Sequence, residues 1–146
     1  LHVEDGVVCD ETLRAGPEVY AAGDVARWHN ALFGRTMRLE HWTSAAEQGA
    51  AAARNALAPA RATPYSAVPY FWSDWYRDKL QMVGITAADE VTVIGDLDDA
   101  RWLALYRQDD LLVGTLGLNM PGKIMKYRAM IGWRTAWQDA LAFAGR

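Results

Sequence analysis

Arg101-Trp102-Leu103-Ala104-Leu105-Tyr106-Arg107-Gln108-Asp109-Asp110-Leu111-Leu112-Val113-Gly114-Thr115-Leu116-Gly117-Leu118 decides the fold of the C-terminal half. Two apolar runs flank Gln108-Asp109-Asp110, the polar break expected of a hairpin turn. The pattern predicts strands over 101–107 and 111–118. Upstream, Leu80–Ile85 and Val91–Gly95 read as two further strands; downstream, 121–131 and 134–144 read as two helices. Antiparallel strands followed by helices make a small α+β domain, an antiparallel sheet plus two helices. At about 80 residues it is large enough to fold alone.

The texture changes at Pro59-Ala60-Arg61-Ala62-Thr63-Pro64, where prolines bracket small and polar residues in the manner of a linker. Before it, Gly6–Cys9 and Val19–Ala22 read as short strands with a turn at Gly16-Pro17. Residues 27–38 read as a loop rich in Asn, Gly and Arg. A helix is expected from about Ser44, with Glu47 three residues on completing a capping box. Ala45, Gly49, Ala52, Ala53 and Ala56 then form a small-residue face able to approach a sheet closely. This is α/β material, but two strands and one helix do not close a core.

The 146 residues carry a formal net charge of −3, with 51% apolar and 23% charged residues. These are ordinary values for a globular chain with a real core. The charge argues against a nucleic-acid binder, and no run approaches the roughly 20 apolar residues of a membrane span; cytoplasm is the default location. A single cysteine, Cys9, excludes an intrachain disulfide or a CxxC pair and reads as a packed strand residue. His2, His29 and His41 lack ligand-like spacing, so no metal site is expected.

Three places can carry chemistry. The first is Gly23-Asp24, after Val19-Tyr20-Ala21-Ala22. An Asp after Gly at a strand end often only caps a turn; alternatively, Gly23 admits a ligand to the backbone while Asp24 accepts from a hydroxyl of a ribose or polyol. The second is the start of the Ser44 helix, preceded by Glu40-His41-Trp42-Thr43. Its first-turn N–H groups suit an anion or electron-rich carbonyl. The third is Pro69-Tyr70-Phe71-Trp72-Ser73-Asp74-Trp75-Tyr76, whose aromatics are hard to bury on one face, so some should line a cleft or domain junction.

Tyr20-Ala21-Ala22-Gly23-Asp24, then Glu40-His41-Trp42 leading to Gln48-Gly49, then Phe71-Trp72-Ser73-Asp74, follow in an order and spacing that resembles the FAD-dependent NAD(P)H:ferredoxin (and rubredoxin) reductases. These are flavoenzymes of the pyridine nucleotide-disulfide oxidoreductase type that serve bacterial oxygenase electron chains. The resemblance covers essentially the whole chain. It implies that residues 1–58 are the C-terminal segment of an α/β FAD-binding domain, 59–66 a linker, and 67–146 the reductase C-terminal domain. Carried over, it implies that Gly23 and Asp24 hold the ribityl chain of FAD. Trp42 with Thr43 would meet the pyrimidine end of the flavin. Glu40 would lie near the nicotinamide, and Trp72 would be a ring beside the flavin, between it and an iron–sulfur partner. The implied reaction is hydride transfer from NAD(P)H to flavin, then two single-electron transfers to a [2Fe–2S] ferredoxin or rubredoxin.

The family's Gly-x-Gly-x-x-Gly loop and NAD(P) domain are not in these residues, so the chain alone is expected to bind FAD poorly and to be inactive. No His follows His41, unlike the disulfide-reductase relatives with their C-terminal His–Glu pair. A second reading is a non-catalytic interaction or dimerisation module derived from such a reductase. In it, exposed strand edges would promote a homodimer and Lys123, Lys126, Arg128 and Arg134 would attract an acidic ferredoxin; a solvated helix face explains the same charges. A Trp-lined carbohydrate binder accounts for the aromatics but not for Gly23-Asp24.

Overall fold

The computed structural model describes residues 1–145. They form two compact units, Leu1–Ala67 and the residues from Val68 onward. Among them, no helix is long and apolar enough to cross a membrane.

The first unit runs β1 (Val7–Val8), β2 (Arg14–Gly16), β3 (Val19–Tyr20), a 3-10 turn at Gly23–Val25, β4 (Ala26–Asn30), β5 (Arg35–Arg38), α1 (Trp42–Leu57) and a 3-10 turn at Pro59–Arg61. Strand β4 pairs in parallel with β1 and antiparallel with β5. Strands β2 and β3 form a separate ribbon. The loop expected over 27–38 is thus mostly a hairpin. Ala26, Trp28 and Asn30 alternate inward and are buried, a period-two pattern hidden in the sequence by the polar Asn30. Trp28 donates from its indole to the Tyr65 carbonyl at 3.1 Å, and Asn30 donates to the Ala67 carbonyl at 2.9 Å.

Helix α1 starts at Trp42, with His41 as N-cap and no side-chain cap bond. The expected capping box does not form: Ser44 is buried inside the first turn, and Glu47 accepts from the Tyr65 hydroxyl at 3.3 Å. The buried face also differs from the expected small-residue stripe. It consists of Ser44, Gln48, Ala51, Ala52 and Asn55, while Ala53 and Ala56 are exposed. Gln48 and Asn55 can be interior because backbone groups receive their carboxamides. Cys9, Leu13, Ala26, Trp28, Ala51 and Ala52 make the core of this unit. Burial pushes the Cys9 thiol above its ordinary pKa, fitting a packing role.

The second unit contains β6 (Tyr70–Trp75), β7 (Asp78–Gly84), β8 (Glu90–Ile94), β9 (Trp102–Gln108), β10 (Leu111–Leu118), α2 (Pro121–Gly132) and α3 (Trp137–Ala144). Its five strands form an antiparallel sheet in the order β6-β7-β10-β9-β8. The α+β architecture expected from the sequence is present, with one strand more than expected. The aromatic segment is itself an edge strand, zipped to β7 from Tyr70↔Val83 to Trp75↔Asp78. The β9–β10 turn falls at Asp109-Asp110, between paired Gln108 and Leu111.

Helix α2 packs on β10 and β7 through buried Ile124, Tyr127 and Ile131. The Tyr127 hydroxyl donates to the Ala140 carbonyl at 3.2 Å and its ring meets Phe143 edge-on at 5.1 Å. Burial drives this phenol up to about 12. Helix α3 starts later than expected, because Arg134 is left-handed (φ 54°) and Ala136 bridges Leu111; neither geometry propagates a helix.

Candidate functional site

The Gly23–Val25 turn is built by its neighbours. Gly23 is buried at φ +76°, and a methyl there would come within 3.3 Å of the Ala45 methyl. Glycine therefore lets the turn lie directly on α1. Its N–H donates to Gln48 Oε1 at 2.8 Å, a buried bond from turn to helix. Next to it, Asp24 is exposed, and its carboxylate takes no hydrogen bond from the described residues.

Arg38, at the end of β5, joins this turn to the approach of α1. Its Nη1 donates to the Asp24 backbone oxygen at 3.0 Å and to Glu40 Oε1 at 2.6 Å, and its Nε donates to Asp5 Oδ1 at 3.1 Å. Two of the sequence-expected residues, Asp24 and Glu40, are thus brought together by a third that the sequence did not single out. Its partners lie as far as 33 positions away, beyond any local motif. Gln48 stood in the motif without a role, and its partner Gly23 is 25 positions away.

Beyond Glu40, Trp42 and Thr43 occupy the first turn of α1, with Trp42 80% exposed. The N-cap His41 is half-buried. Desolvation lowers its pKa below the usual histidine value, opposed by the nearby Asp24 charge. Gly23 thus serves the packing of turn on helix and does not admit a ligand to its backbone as the sequence suggested; what it leaves together in one unit are an exposed carboxylate and a helix N-terminus. They suit a ligand with hydroxyls and an electron-rich ring: the Asp accepts, and the helix end favours negative charge by about 0.3–1 kcal/mol. This donor set fits part of an FAD site.

Trp72 lies in the second unit, on β6. It stacks on Tyr70 with centroids 5.5 Å apart, and the Lys79 ammonium is 5.9 Å from its ring centre. Across the ladder sits Gln81, buried, whose Nε2 hydrogen-bonds the Tyr70 hydroxyl at 2.8 Å. Past Trp72, Trp75 and Tyr76 at the hairpin end are exposed. Of the four cations that the interaction-module reading turns toward a partner, two have duties inside the fold. Lys123 donates to the Ala144 carbonyl at 2.6 Å, and Arg128 donates to the Val68 carbonyl at 3.1 Å while covering the Tyr70 ring.

The sequence profile described as "Reductase C-terminal" matches residues 70–144. The 3-phenylpropionate/cinnamic acid dioxygenase ferredoxin–NAD(+) reductase component of Photorhabdus laumondii is 31% identical over 134 residues, covering 90% of this chain and 33% of that protein. Putidaredoxin reductase CamA of Pseudomonas putida is 32% identical over 133 residues, covering 90% of this chain and 31% of that protein. Among solved structures, the covalent putidaredoxin reductase–putidaredoxin complex superposes with a TM-score of 0.83 at 31% identity, covering 91% of this chain and 32% of that one. A ferredoxin reductase from Rhodopseudomonas palustris gives 0.84 at 30% identity, covering 92% and 33%. The chain belongs to the reductase C-terminal family. It spans about a third of the length of these relatives.

Proposed function

We propose that this chain is the C-terminal third of an FAD-dependent oxidoreductase that passes electrons from NAD(P)H to a [2Fe–2S] ferredoxin or rubredoxin. The observation that carries the proposal is the Gly23–Asp24 turn, anchored to α1 by Gln48 and leaving one carboxylate facing out. It stands in a chain whose second unit matches the reductase C-terminal family. FAD, when bound, supplies the chemistry that accepts a hydride and releases electrons one at a time.

This chain's residues bind and orient. Asp24 accepts from polyol hydroxyls, and Gly23, seated against Ala45 with its N–H on Gln48, holds the turn on α1 so that this carboxylate faces out. The first turn of α1, with Trp42 and Thr43, faces the electron-rich end of the ring system and stabilises negative charge there by on the order of 1 kcal/mol. Glu40 contributes a carboxylate toward the nicotinamide. For Trp72 we propose the role the family likeness implies, a ring that keeps water from the cofactor.

The test is flavin content. The full-length reductase bearing Asp24→Ala should purify with much less FAD than wild type and bind added FAD more weakly in a fluorescence titration. Unchanged occupancy in that variant sinks the assignment. A second reading, a non-catalytic interaction module, draws on Trp75 and Tyr76, which are 68% and 108% exposed; a wild-type protein that takes up no flavin at all would favour it.

A further inference from the structure

The FAD reading leaves Arg38 without a role, yet one guanidinium contacts three separate segments: Asp5, Asp24 and Glu40. Exposed ion pairs alone hold little, and the Asp5 and Glu40 side chains are 72% and 65% exposed. Two other features make the arrangement more than a surface pair. Arg38 donates to a backbone carbonyl, the Asp24 oxygen. Its stem also runs over Gly6 (φ +110°), where an added methyl would stand 2.7 Å from Arg38 Cδ and 2.8 Å from the Val25 oxygen. The backbone at Gly6 is shaped so that the arginine stem can pass. With Gln48 receiving the Gly23 N–H, the turn is gripped at both ends, the amide of 23 and the carbonyl of 24.

We propose that Arg38 is a positioning residue that sets the Asp24 and Glu40 carboxylates as one unit, coupling the grip on the flavin polyol to the charge presented to the nicotinamide. The inference rests on the FAD reading above. Its geometry requires the planar fork of arginine, because adjacent nitrogens serve different segments and a lysine ammonium has no such spread. Its charge matters separately. Paired with Arg38, Glu40 is offset; without that cation, a bare carboxylate favours the cationic oxidised nicotinamide over the neutral reduced form.

The test compares Arg38→Gln, Arg38→Lys and Asp24→Ala in the full-length protein, reading FAD dissociation, affinity of the oxidised flavoprotein for NAD(P)+, and the unfolding midpoint of the apoprotein. Arg38→Gln should weaken FAD about tenfold, the scale of one charge-assisted hydrogen bond, and tighten NAD(P)+. Arg38→Lys should restore wild-type NAD(P)+ affinity while FAD stays weak. Full rescue of FAD binding by lysine, or weakened FAD in Arg38→Gln with unchanged NAD(P)+ affinity, overturns the coupling. So does a loss of FAD that only follows a lower apoprotein midpoint. If Asp24→Ala loses FAD while Arg38→Gln binds it normally, this inference fails and the FAD reading stands. If Asp24→Ala also binds normally, the FAD reading fails first.

Discussion

The carboxamide of Gln48 accepts the Gly23 N–H at 2.8 Å in a fully buried bond, so helix α1 and the Gly–Asp turn are a single construction. Replacing Gln48 with Leu strands the Gly23 donor, and a buried unsatisfied donor costs about 1–3 kcal/mol. Part is recovered, because Gln48 Nε2 has no hydrogen-bond partner among the described residues and its removal is favourable. The expected net loss for the first unit is about 1 kcal/mol. A sharper readout is hydrogen exchange: the Gly23 amide should lose its protection. An equally protected amide in Gln48→Leu would mean the bond does not hold the turn.

Asn55 is the other polar residue on the inner face of α1. Its Nδ2 donates to the Thr12 and Thr63 carbonyls at 2.8 and 3.0 Å, and its Oδ1 receives the Thr63 N–H at 3.0 Å. One side chain thereby ties the segment after the helix to the segment before β2. Asn55→Ala leaves these backbone groups partly unsatisfied and should destabilise the first unit by about 3 kcal/mol. Asn55→Asp keeps the acceptor but loses both donors and buries a charge, so at neutral pH it should be no better. Denaturant unfolding read by Trp28, which is buried in the same core, checks both.

His41 gives the first unit a pH dependence of definite sign. Its folded pKa is depressed below 6.5, chiefly by desolvation, with the Asp24 charge pulling the other way. Above about 6.5 the imidazole is neutral in both folded and unfolded chains and the full stability is present. As pH falls from there through the lower folded value, the unfolded chain binds the proton more readily and stability is lost. A nuclear magnetic resonance titration should place the His41 transition below 6.5, and Asp24→Asn should push it lower still. An upward shift in Asp24→Asn would show that the carboxylate does not reach His41.

The sequence announced the second unit better than the first, for a physical reason. Strands β7, β9 and β10 carry long apolar runs around polar turns, so local pattern and tertiary fate agree. Residues 27–38 disguise a hairpin, because its inward positions include the polar Asn30, satisfied by the carbonyl of Ala67. Strand β6 carries aromatics on both of its faces, so no alternation marks it in the sequence and only pairing with β7 explains them. Within the candidate site, Asp24, Glu40 and Trp42 were legible as a motif. Arg38 and the acceptor role of Gln48 were not, since their partners are distant in sequence and no periodicity signals a bond to a backbone atom.

The cations of α2 separate fold from docking. Lys126 is exposed and its ammonium lies 5.6 Å from the centre of the Phe143 ring, whereas Arg128 is half-buried and bonded to the Val68 carbonyl. If this face steers an acidic ferredoxin, Lys126→Glu should slow association severalfold at low salt, and the difference should shrink as salt rises, since rim charges act mainly on the on-rate. The same variant should unfold within about 0.5 kcal/mol of wild type. Arg128→Glu should behave oppositely. It strips a bond from the Val68 carbonyl, removes the cation over Tyr70 and places a carboxylate against that ring, so the second unit should lose about 2 kcal/mol. Stopped-flow reduction of the partner at two ionic strengths, alongside denaturant unfolding, distinguishes the variants. A salt-independent rate in Lys126→Glu would remove this helix from the docking surface and leave its charges as a solvated face.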